Sequence, residues 1–278
     1  MVDIREWSRR DTARFLRVPG TEDDKYSRGV VALRTGSAAY PGAAVLGVEA
    51  AWRAGAGYVR YVGAQRAADA VLARRPETVA GADTGRSRID AWVIGSGTDA
   101  AQRSDAETAQ LREILTGPAP VVVDAGALDL VPGATAPLLL TPHAGEFARL
   151  QQNLGLQARS DDRPRDVSAV ARELRATVLL KGARTLIADP EGPVIEMSAG
   201  TGWLATAGTG DVLAGILGAL IAANRDAPIA EVAAAGAWLH GHAARHAAGV
   251  ADGTVPGHPI VALDVAEALP HAIADLLS

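Results

Sequence analysis

A Gly-Thr-Gly-Asp sequence at residues 208–211 has the composition of an anion-binding turn that opens a helix. Its glycines let backbone N–H groups approach an anion closely, and a helix N-terminus adds positive potential. Asp211 falls in the first turn of the predicted helix. A carboxylate there either caps the helix or takes a proton from a hydroxyl that receives a phosphoryl group. A second Gly-rich turn at 198–202 favours the latter role, because a simple cap needs no such loop.

The motif differs from two common phosphate-binding loops. A Walker A loop requires Gly-Lys-Ser/Thr after four spacer residues. The dinucleotide-binding Gly-x-Gly-x-x-Gly sequence follows the first strand of its domain, whereas the motif at 208–211 lies late in the chain. We interpret it as part of an enzyme that acts with a nucleotide.

Lysine is rare in this chain: of 27 basic residues, only Lys25 and Lys181 are lysines. Arginine supplies positive charge elsewhere, so a retained lysine can mark a position that needs a compact ammonium. Lys181 follows the apolar run 177–180. We expect its ammonium to contact a nucleotide phosphate, and the backbone of residues 182–185 to line the same site. Lys25 is equally well explained by chance.

Polar residues also follow other apolar runs. His143 and Glu146 lie where a helix is expected to start, and both can face one cleft. The alternative is that Glu146 only favours the helix N-terminus and His143 is an ordinary loop residue. Asp124 ends another run, where it either holds Mg²⁺ through water or caps the next helix. The Gly-Ser-Gly sequence at 95–97 suggests close approach by a substrate.

His242 and His246 have the i, i+4 spacing of a metal-ligand pair on a helix, with His240 nearby. No acidic residue lies between them to complete the zinc-protease pattern. The local sequence therefore argues against a metal site in this helix.

The elements that must position these residues follow an alternating pattern. Short runs rich in Val, Ile and Leu predict buried strands at 30–33, 58–62, 91–94, 121–124, 138–141 and 177–180. Helical patterns at 44–53, 67–73, 106–115 and 167–175 separate several of them, which indicates βαβ units and a mainly parallel sheet. The runs 185–188 and 194–197 predict a hairpin near a sheet edge. Helices are expected at 212–223, 229–246 and 261–277.

Composition bounds the class of protein. With 48% hydrophobic and 21% charged residues, the 278-residue chain can bury a large core, and we predict one domain over 1–278 with an N-terminal arm at 1–24. The net charge of −5, without a basic run, argues against a nucleic-acid partner. The absence of cysteine excludes disulfide and thiolate chemistry. The sequence contains no signal-peptide or membrane-span pattern, so we expect a cytoplasmic protein that does not bind a membrane.

Together the motifs resemble those of the ADP-dependent NAD(P)H-hydrate dehydratases, within the ribokinase-like superfamily, from about residue 25 to residue 269. The resemblance rests on the order and spacing of several segments: Pro-Gly-Ala-Ala at 41–44, Ala-Gly-Ala-Gly at 54–57, Gly-Ser-Gly at 95–97, Asp-Ala-Gly-Ala-Leu at 124–128, Leu-Thr-Pro-His with Gly-Glu at 140–146, Lys-Gly at 181–182, and Gly-Thr-Gly-Asp-Val-Leu-Ala-Gly at 208–215. It implies an α/β fold, a ribokinase-like three-layer αβα sandwich with a mainly parallel central sheet.

The resemblance also implies a reaction that repairs nicotinamide cofactors. The S-forms of the hydrates NADHX and NADPHX are converted to NADH and NADPH while ADP becomes AMP and phosphate. The hydrate's hydroxyl is phosphorylated, and loss of phosphate then restores the ring double bond. Asp211 would be the base at that hydroxyl, and Gly210 would supply an anion-binding amide.

By the same resemblance, the site residues form three groups. The hydrate is expected to contact Ala43, Gly97, His143 and Asp211. Related kinases organise Mg²⁺ with an Asn-x-x-Glu pair that aligns with His143 and Glu146, so Glu146 is expected to act through metal-bound water. The residues expected to contact ADP or AMP are Lys181, Gly182, Ala183, Arg184, Thr185, Gly208, Thr209 and Gly210.

Many relatives carry a fused N-terminal epimerase domain. The length of this chain leaves no room for one, so we expect the NAD(P)HX epimerase to be a separate protein, and the family suggests a homotetramer. One alternative is a ribokinase-like, ATP-dependent kinase of a vitamin-precursor alcohol. His143 argues against this alternative, because such kinases have an Asn at that position. Another is a non-catalytic nucleotide-binding protein, which would have no need of Asp211, Lys181 and Glu146 together.

Overall fold

A computed structural model describes residues 2–85, 87–158, 162–250 and 255–278 of the chain. Ten strands in these residues form one sheet. They are β1 (Ile4–Glu6), β2 (Val30–Arg34), β3 (Tyr58–Val62), β4 (Val79–Gly81), β5 (Ala91–Ile94), β6 (Val121–Val123), β7 (Leu138–Leu140), β8 (Thr177–Leu180), β9 (Thr185–Ala188) and β10 (Val194–Met197). The helices are α1 (Arg9–Ala13), α2 (Pro41–Arg53), α3 (Gln65–Arg74), α4 (Asp105–Leu115), α5 (Ala144–Asn153), α6 (Arg163–Leu174), α7 (Thr209–Ala223), α8 (Ile229–Ala247) and α9 (Ala262–Leu277).

The strand order is β1-β10-β9-β8-β7-β6-β5-β2-β3-β4. Strand β9 is antiparallel to both of its neighbours, and the other pairs in the sheet are parallel. Parallel strands covered on both faces read as continuous apolar runs, and β6, Val-Val-Val, is buried throughout. The predicted mainly parallel sheet and the β9–β10 hairpin are confirmed.

The two faces of the sheet pack against separate hydrophobic cores. Along β6, Val122 joins one core, which contains apolar residues of α2, α7, α8 and α9. Its neighbours Val121 and Val123 join the other core, together with residues of α4, α5 and α6. This alternation is the two-residue period of a strand. Helices on both faces of a central sheet make the predicted three-layer αβα sandwich.

Helices α2 and α7 approach each other closely because small residues face each other. Gly47 and Gly215 meet at this contact, and a Cβ atom at Gly215 would overlap the Gly47 carbonyl oxygen. Val212 and Ile216 of α7 are fully buried beside it. The contact sets the position of α7, and therefore of Asp211 in its first turn.

Strands β1 and β4 and helix α1 were not predicted from the sequence. Both strands lie at sheet edges, are three residues long, and have an exposed-intermediate-exposed pattern of burial. They therefore lack the apolar run that reveals a buried strand. None of the helices in the described ranges is long and apolar enough to cross a membrane.

We predict that Gly215→Ala lowers the free energy of unfolding by about 1–3 kcal/mol, because the added methyl must push α2 away from α7. Denaturant unfolding measures the change. Gly42→Ala in α2 is the matched control, since a Cβ there meets nothing within 4 Å. We expect that control to be neutral or slightly stabilising. Equal effects of the two substitutions would contradict the close contact.

Candidate active site

The carboxyl ends of β5, β6, β7 and β8 lie side by side, because these strands are adjacent and parallel. The loops after them carry the motifs at 95–97, Asp124, 141–146 and Lys181. The Lys181 N–H donates to the Pro142 carbonyl at 2.9 Å, which extends the pairing of β7 and β8 past their ends. The motifs therefore meet at one edge of the sheet, where parallel sheets hold their ligands.

Asp124 is buried at this edge and accepts three hydrogen bonds. Its Oδ1 accepts from Lys181 Nζ at 2.8 Å and from Thr141 Oγ1 at 2.8 Å, while Oδ2 accepts from Ser96 Oγ at 2.9 Å. Its side chain makes no capping bond to the 3₁₀ helix that follows. The capping interpretation is therefore wrong, and three donors already share the two carboxylate oxygens. Asp124 is the counterion that holds Lys181.

The Asp211 carboxylate lies in the first turn of α7 and accepts no hydrogen bond from the described residues, so it does not cap the helix. Burial raises the pKa of Asp211 to about 6; the negative charge of Asp124 adds to the rise, and the Lys181 ammonium opposes it. At neutral pH the carboxylate is mostly ionised, yet it attracts a proton more strongly than an ordinary Asp. This is the property required of a general base.

The start of α7 is fixed by backbone and side-chain contacts. Gly208 has a φ of 88°, a left-handed conformation that side chains disfavour. Thr209 Oγ1 donates to the carbonyls of Leu204 and Thr206, each at 3.1 Å, which ties the preceding loop to the helix. A Cβ at Gly210 would lie 3.6 Å from Lys181 Nζ. The ammonium therefore borders the first turn, whose N–H groups have no acceptor within the helix.

A cavity of about 470 Å³ opens beside this turn, a volume within the usual range for small-molecule sites. Its lining combines the first turn of α7 with the loop after β8, the loop before α7 and one face of α8. The lining residues are Lys181, Gly182, Ala183, Thr185, Met197, Ala199, Gly200, Thr201, Gly202, Leu204, Ala205, Thr209, Gly210, Leu213, Ala237, His240 and Gly241.

Two residues expected to contact the nucleotide are not among these lining residues. The Arg184 side chain is 69% exposed and pairs with Glu196, with Nε to Oε1 at 2.9 Å. Gly208 shapes the turn through its backbone conformation. The structure therefore brings the other predicted nucleotide residues, Lys181 to Ala183, Thr185, Thr209 and Gly210, to one cavity.

His240 lines the cavity but was not predicted as a site residue. Burial lowers its pKa to about 4, although a hydrogen bond with the Thr209 backbone opposes the shift, so the ring is neutral at pH 7. Its Nε2 is buried and has no hydrogen-bond partner in the described part of the chain. A buried nitrogen without a partner calls for an explanation, and the residue that carries it borders the cavity. The sequence signal was a histidine in a helix otherwise rich in alanine, glycine and leucine.

His143 and Glu146 form a reciprocal cap at the start of α5. His143 Nδ1 accepts from the Gly145 N–H at 3.0 Å, and Glu146 Oε2 accepts from the His143 N–H at 2.8 Å. The capping role considered from the sequence is therefore real. The His143 side chain is nevertheless 56% exposed, and its Nε2 lies 3.4 Å from Glu146 Oε1. The cap fixes the imidazole at the site edge without burying it.

Ala43 and Gly97 lie in contact on the other side of Asp124. Gly97 has a φ of 68°, and a Cβ there would overlap the Ala43 Cβ. The neighbouring Ser96 donates its hydroxyl to Asp124 and accepts the Gly36 N–H at 2.7 Å through its carbonyl. Ser96, the neighbour of Gly97, thus connects this contact to the carboxylate that holds Lys181.

The second lysine has a different environment. Lys25 Nζ lies 5.0 Å from the centre of the Tyr26 ring and 5.4 Å from that of Tyr58. Such distances are those of cation–π contacts. Lys25 therefore packs against Tyr26 and the start of β3, and no contact within the described part of the chain connects it with the groups around Asp124.

Comparison with known proteins gives the family. The NAD(P)H-hydrate dehydratase family profile matches residues 31–260. The chain is 46% identical to the bifunctional NAD(P)H-hydrate repair enzyme Nnr of Mycobacterium leprae over 88% of this chain and 52% of that protein. It is 38% identical to the ADP-dependent (S)-NAD(P)H-hydrate dehydratase of Neisseria meningitidis over 85% of this chain and 84% of that protein.

A solved structure is similar over the full length. The Bacillus subtilis ADP/ATP-dependent NAD(P)H-hydrate dehydratase, co-crystallised with ATP and Mg²⁺, has a TM-score of 0.82 and 25% identity, covering 99% of each chain. The chain spans about half the length of the bifunctional relatives it matches. The profile covers most of the chain and the Neisseria relative is matched over most of its length, so the chain belongs to the NAD(P)H-hydrate dehydratase family.

Proposed function

We propose that this chain dehydrates the S-forms of NADHX and NADPHX to NADH and NADPH and converts ADP to AMP and phosphate. The observation that carries the proposal is the Asp211 carboxylate, which is partly buried, free of hydrogen bonds to the described residues, and next to a helix N-terminus and the Lys181 ammonium. The name of the Neisseria relative supports ADP as the co-substrate.

Asp211 would act on the hydroxyl of the hydrate. As the hydroxyl oxygen attacks the β-phosphorus of ADP, its proton passes to the Asp211 carboxylate and the bond to the AMP oxygen breaks. Phosphate then leaves the ring carbon with the bonding electrons, and loss of a proton from the adjacent carbon restores the double bond. Phosphoryl transfer needs mainly positioning and charge stabilisation. The Gly210 amide and the Lys181 ammonium are placed to provide both.

The cavity beside α7 would hold the nucleotide. Its lining includes Lys181 and Gly210, which suit the phosphates, and Leu204, Leu213 and Ala237, which suit a base. His240 borders the cavity, and its solvent-shielded Nε2, which has no partner among the described residues, would accept a hydrogen bond from a nucleotide N–H or O–H group that moves the lining enough to reach it. Among the nucleotide contacts predicted from the sequence, that of Arg184 has the least structural support, because the Arg184 guanidinium pairs with Glu196.

The hydrate would lie across the Ala43–Gly97 contact, with its hydroxyl toward Asp211 and the exposed His143 ring at the rim. His143 Nδ1 is held as an acceptor by the cap, so the neutral ring carries its proton on Nε2. That N–H is available to a substrate oxygen.

We propose Mg²⁺ as the metal that accompanies the nucleotide. Mg²⁺ keeps several waters and binds through one or two carboxylates together with phosphates, so it needs no closed protein cage. Glu146 and Asp211 supply carboxylates of that kind, with Glu146 acting through water. When bound, the ion would neutralise charge on the phosphates.

Three further predictions stand: a cytoplasmic location, expected from the sequence, and a homotetramer and an NAD(P)HX epimerase as functional partner, both implied by the family resemblance. We expected the epimerase to be a separate protein. The bifunctional name and greater length of the Mycobacterium relative keep a fused arrangement open as the alternative. Size-exclusion chromatography with light scattering tests the tetramer.

The decisive experiment adds ADP and Mg²⁺ to purified S-NADHX and follows the absorbance of the reduced nicotinamide ring. We expect recovery of NADH with one AMP formed per hydrate consumed. Asp211→Asn should lower kcat by about 10²- to 10⁴-fold, the usual contribution of a general base, while AMP still binds. No recovery of NADH, together with ATP-dependent phosphorylation of a vitamin-precursor alcohol, would instead establish a small-molecule kinase.

Asp211→Asn should also stabilise the protein in a pH-dependent way. The pKa of Asp211 in the folded state, about 6, lies above the ordinary value of 3.8, so the ionised carboxylate destabilises the fold above pH 6 and the cost disappears below about pH 4. We expect the variant to gain about 1–3 kcal/mol at pH 8 and nothing at pH 4. The exposed Asp226→Asn is the control and should change stability little at either pH. A gain of equal size at pH 4 and pH 8 would refute this account.

His240→Phe tests the nucleotide contact. The substitution keeps an aromatic ring but removes the Nε2 acceptor, so we expect the Kd for AMP, measured by calorimetry, to rise by up to about tenfold. The exposed His271→Ala should leave the Kd unchanged. Unaltered AMP affinity in a folded His240→Phe variant would exclude His240 from the nucleotide site.

A further inference from the structure

Helix α8 carries histidines on two different faces. His240 faces the cavity, whereas His242 and His246 lie against the last turns of α9. Asp275 of α9 completes a group of three side chains whose ligating atoms all lie within 4.8 Å of one another. The local sequence lacked an acidic residue beside the histidine pair, and the fold supplies one from 29 positions beyond His246.

The separations between these atoms fit a shared ion. His242 Nε2 lies 3.3 Å from His246 Nε2, and Asp275 Oδ2 lies 3.7 Å from His246 Nε2 and 2.7 Å from His242 Nε2. Ligands bonded to zinc at about 2.0–2.1 Å in a tetrahedron stand roughly 3.3–3.5 Å apart. Two of the three separations are already close to this value. The third separation, between His242 Nε2 and Asp275 Oδ2, is that of a hydrogen bond, and a metal ion would replace its proton.

The surroundings hold the ligands and leave a coordination position open. The Trp238 ring packs 4.9 Å from the His242 ring, and only 15% of the His242 side chain is exposed. His246 and Asp275 are 37% and 38% exposed, so solvent reaches the fourth position. Two imidazoles and one carboxylate select zinc and similar late transition metals, whereas Mg²⁺ prefers an all-oxygen set.

One cation already competes for this position. Arg9 of α1 donates from Nη1 to Asp275 Oδ2 at 2.9 Å and from Nη2 to the Asp275 carbonyl. The guanidinium therefore occupies the same carboxylate oxygen that lies nearest to both imidazoles. A bound metal would take over that oxygen and shift or release Arg9. Asp275 Oδ2 can therefore bind either a metal ion or the Arg9 guanidinium that attaches α1 to α9.

We propose that His242, His246 and Asp275 form a binding site for Zn²⁺ or a similar late transition metal, in competition with Arg9. This site joins α8 to α9 and uses none of the residues assigned to the dehydratase reaction. Its failure would therefore leave the proposed function untouched.

Titration of untagged protein with Zn²⁺ by calorimetry, and with Co²⁺ by visible absorption, tests the site. We expect one ion per chain. His246→Ala should weaken binding by at least tenfold, because it removes one of three ligands, and Arg9→Gln should strengthen it because the competing charge is lost. His271→Ala, at an exposed histidine of α9, is the control and should bind as the parent protein does.

Two results would overturn the proposal: no Zn²⁺ binding by the Arg9→Gln variant, or binding that His246→Ala and His242→Ala leave unchanged. Melting temperatures in the presence of a chelator confirm that each variant is folded. A folded His246→Ala variant that loses binding, beside a His271→Ala variant that keeps it, establishes the site.

Discussion

The hydrogen bonds accepted by Asp124 are the constraint on which the site depends. One buried carboxylate joins the ends of three strands, through Ser96 after β5, Thr141 after β7 and Lys181 after β8. A buried ion pair of this kind is weak evidence for stability, because desolvation offsets the attraction of the charges. Its effect is positional. The Lys181 ammonium is held in the lining of the cavity and beside the first turn of α7.

The charges of Asp124 and Lys181 also affect the proton affinity of Asp211. The negative charge of Asp124 raises the proton affinity of Asp211, and the Lys181 ammonium lowers it again, but burial is the largest influence. The close contact of α2 with α7 keeps Asp211 in this environment, since Gly47 and Gly215 leave no room for a side chain between the helices. A carboxylate placed without hydrogen bonds costs stability. Such a cost is expected where a group is held ready to accept a proton.

Much of the fold could be predicted from the sequence. Buried strands such as β6 are continuous apolar runs between glycine, proline or aspartate, so each strand of the central sheet had a local signal. The edge strands β1 and β4 had none, because partial exposure removes the need for apolar residues. The position of the site motifs at strand ends was also predictable, since parallel strands bring their carboxyl ends to one edge.

Partners of individual side chains were not predictable in the same way. Whether Asp124 caps a helix or binds an ammonium depends on where Lys181, 57 residues later, emerges from the sheet. The effect of Glu146 on the start of α5 could be considered from the sequence because it lies within the first turn, whereas the His143 side chain as a capping acceptor was found only in the structure.

Helix α8 shows most directly why local spacing is insufficient evidence for or against a site. His240 and His242 are two positions apart, which places them on different sides of the helix, and each side meets a different partner. His240 meets the cavity that α7 and the β8 loop enclose. His242 meets Asp275, a residue that only the return of α9 across α8 brings near. The i, i+4 pair of His242 and His246 lacked a third ligand in the local sequence, and the packing of two helices supplies it. A set of candidate ligands that comes from two packed helices cannot be found with a sequence motif whose members all lie on one segment.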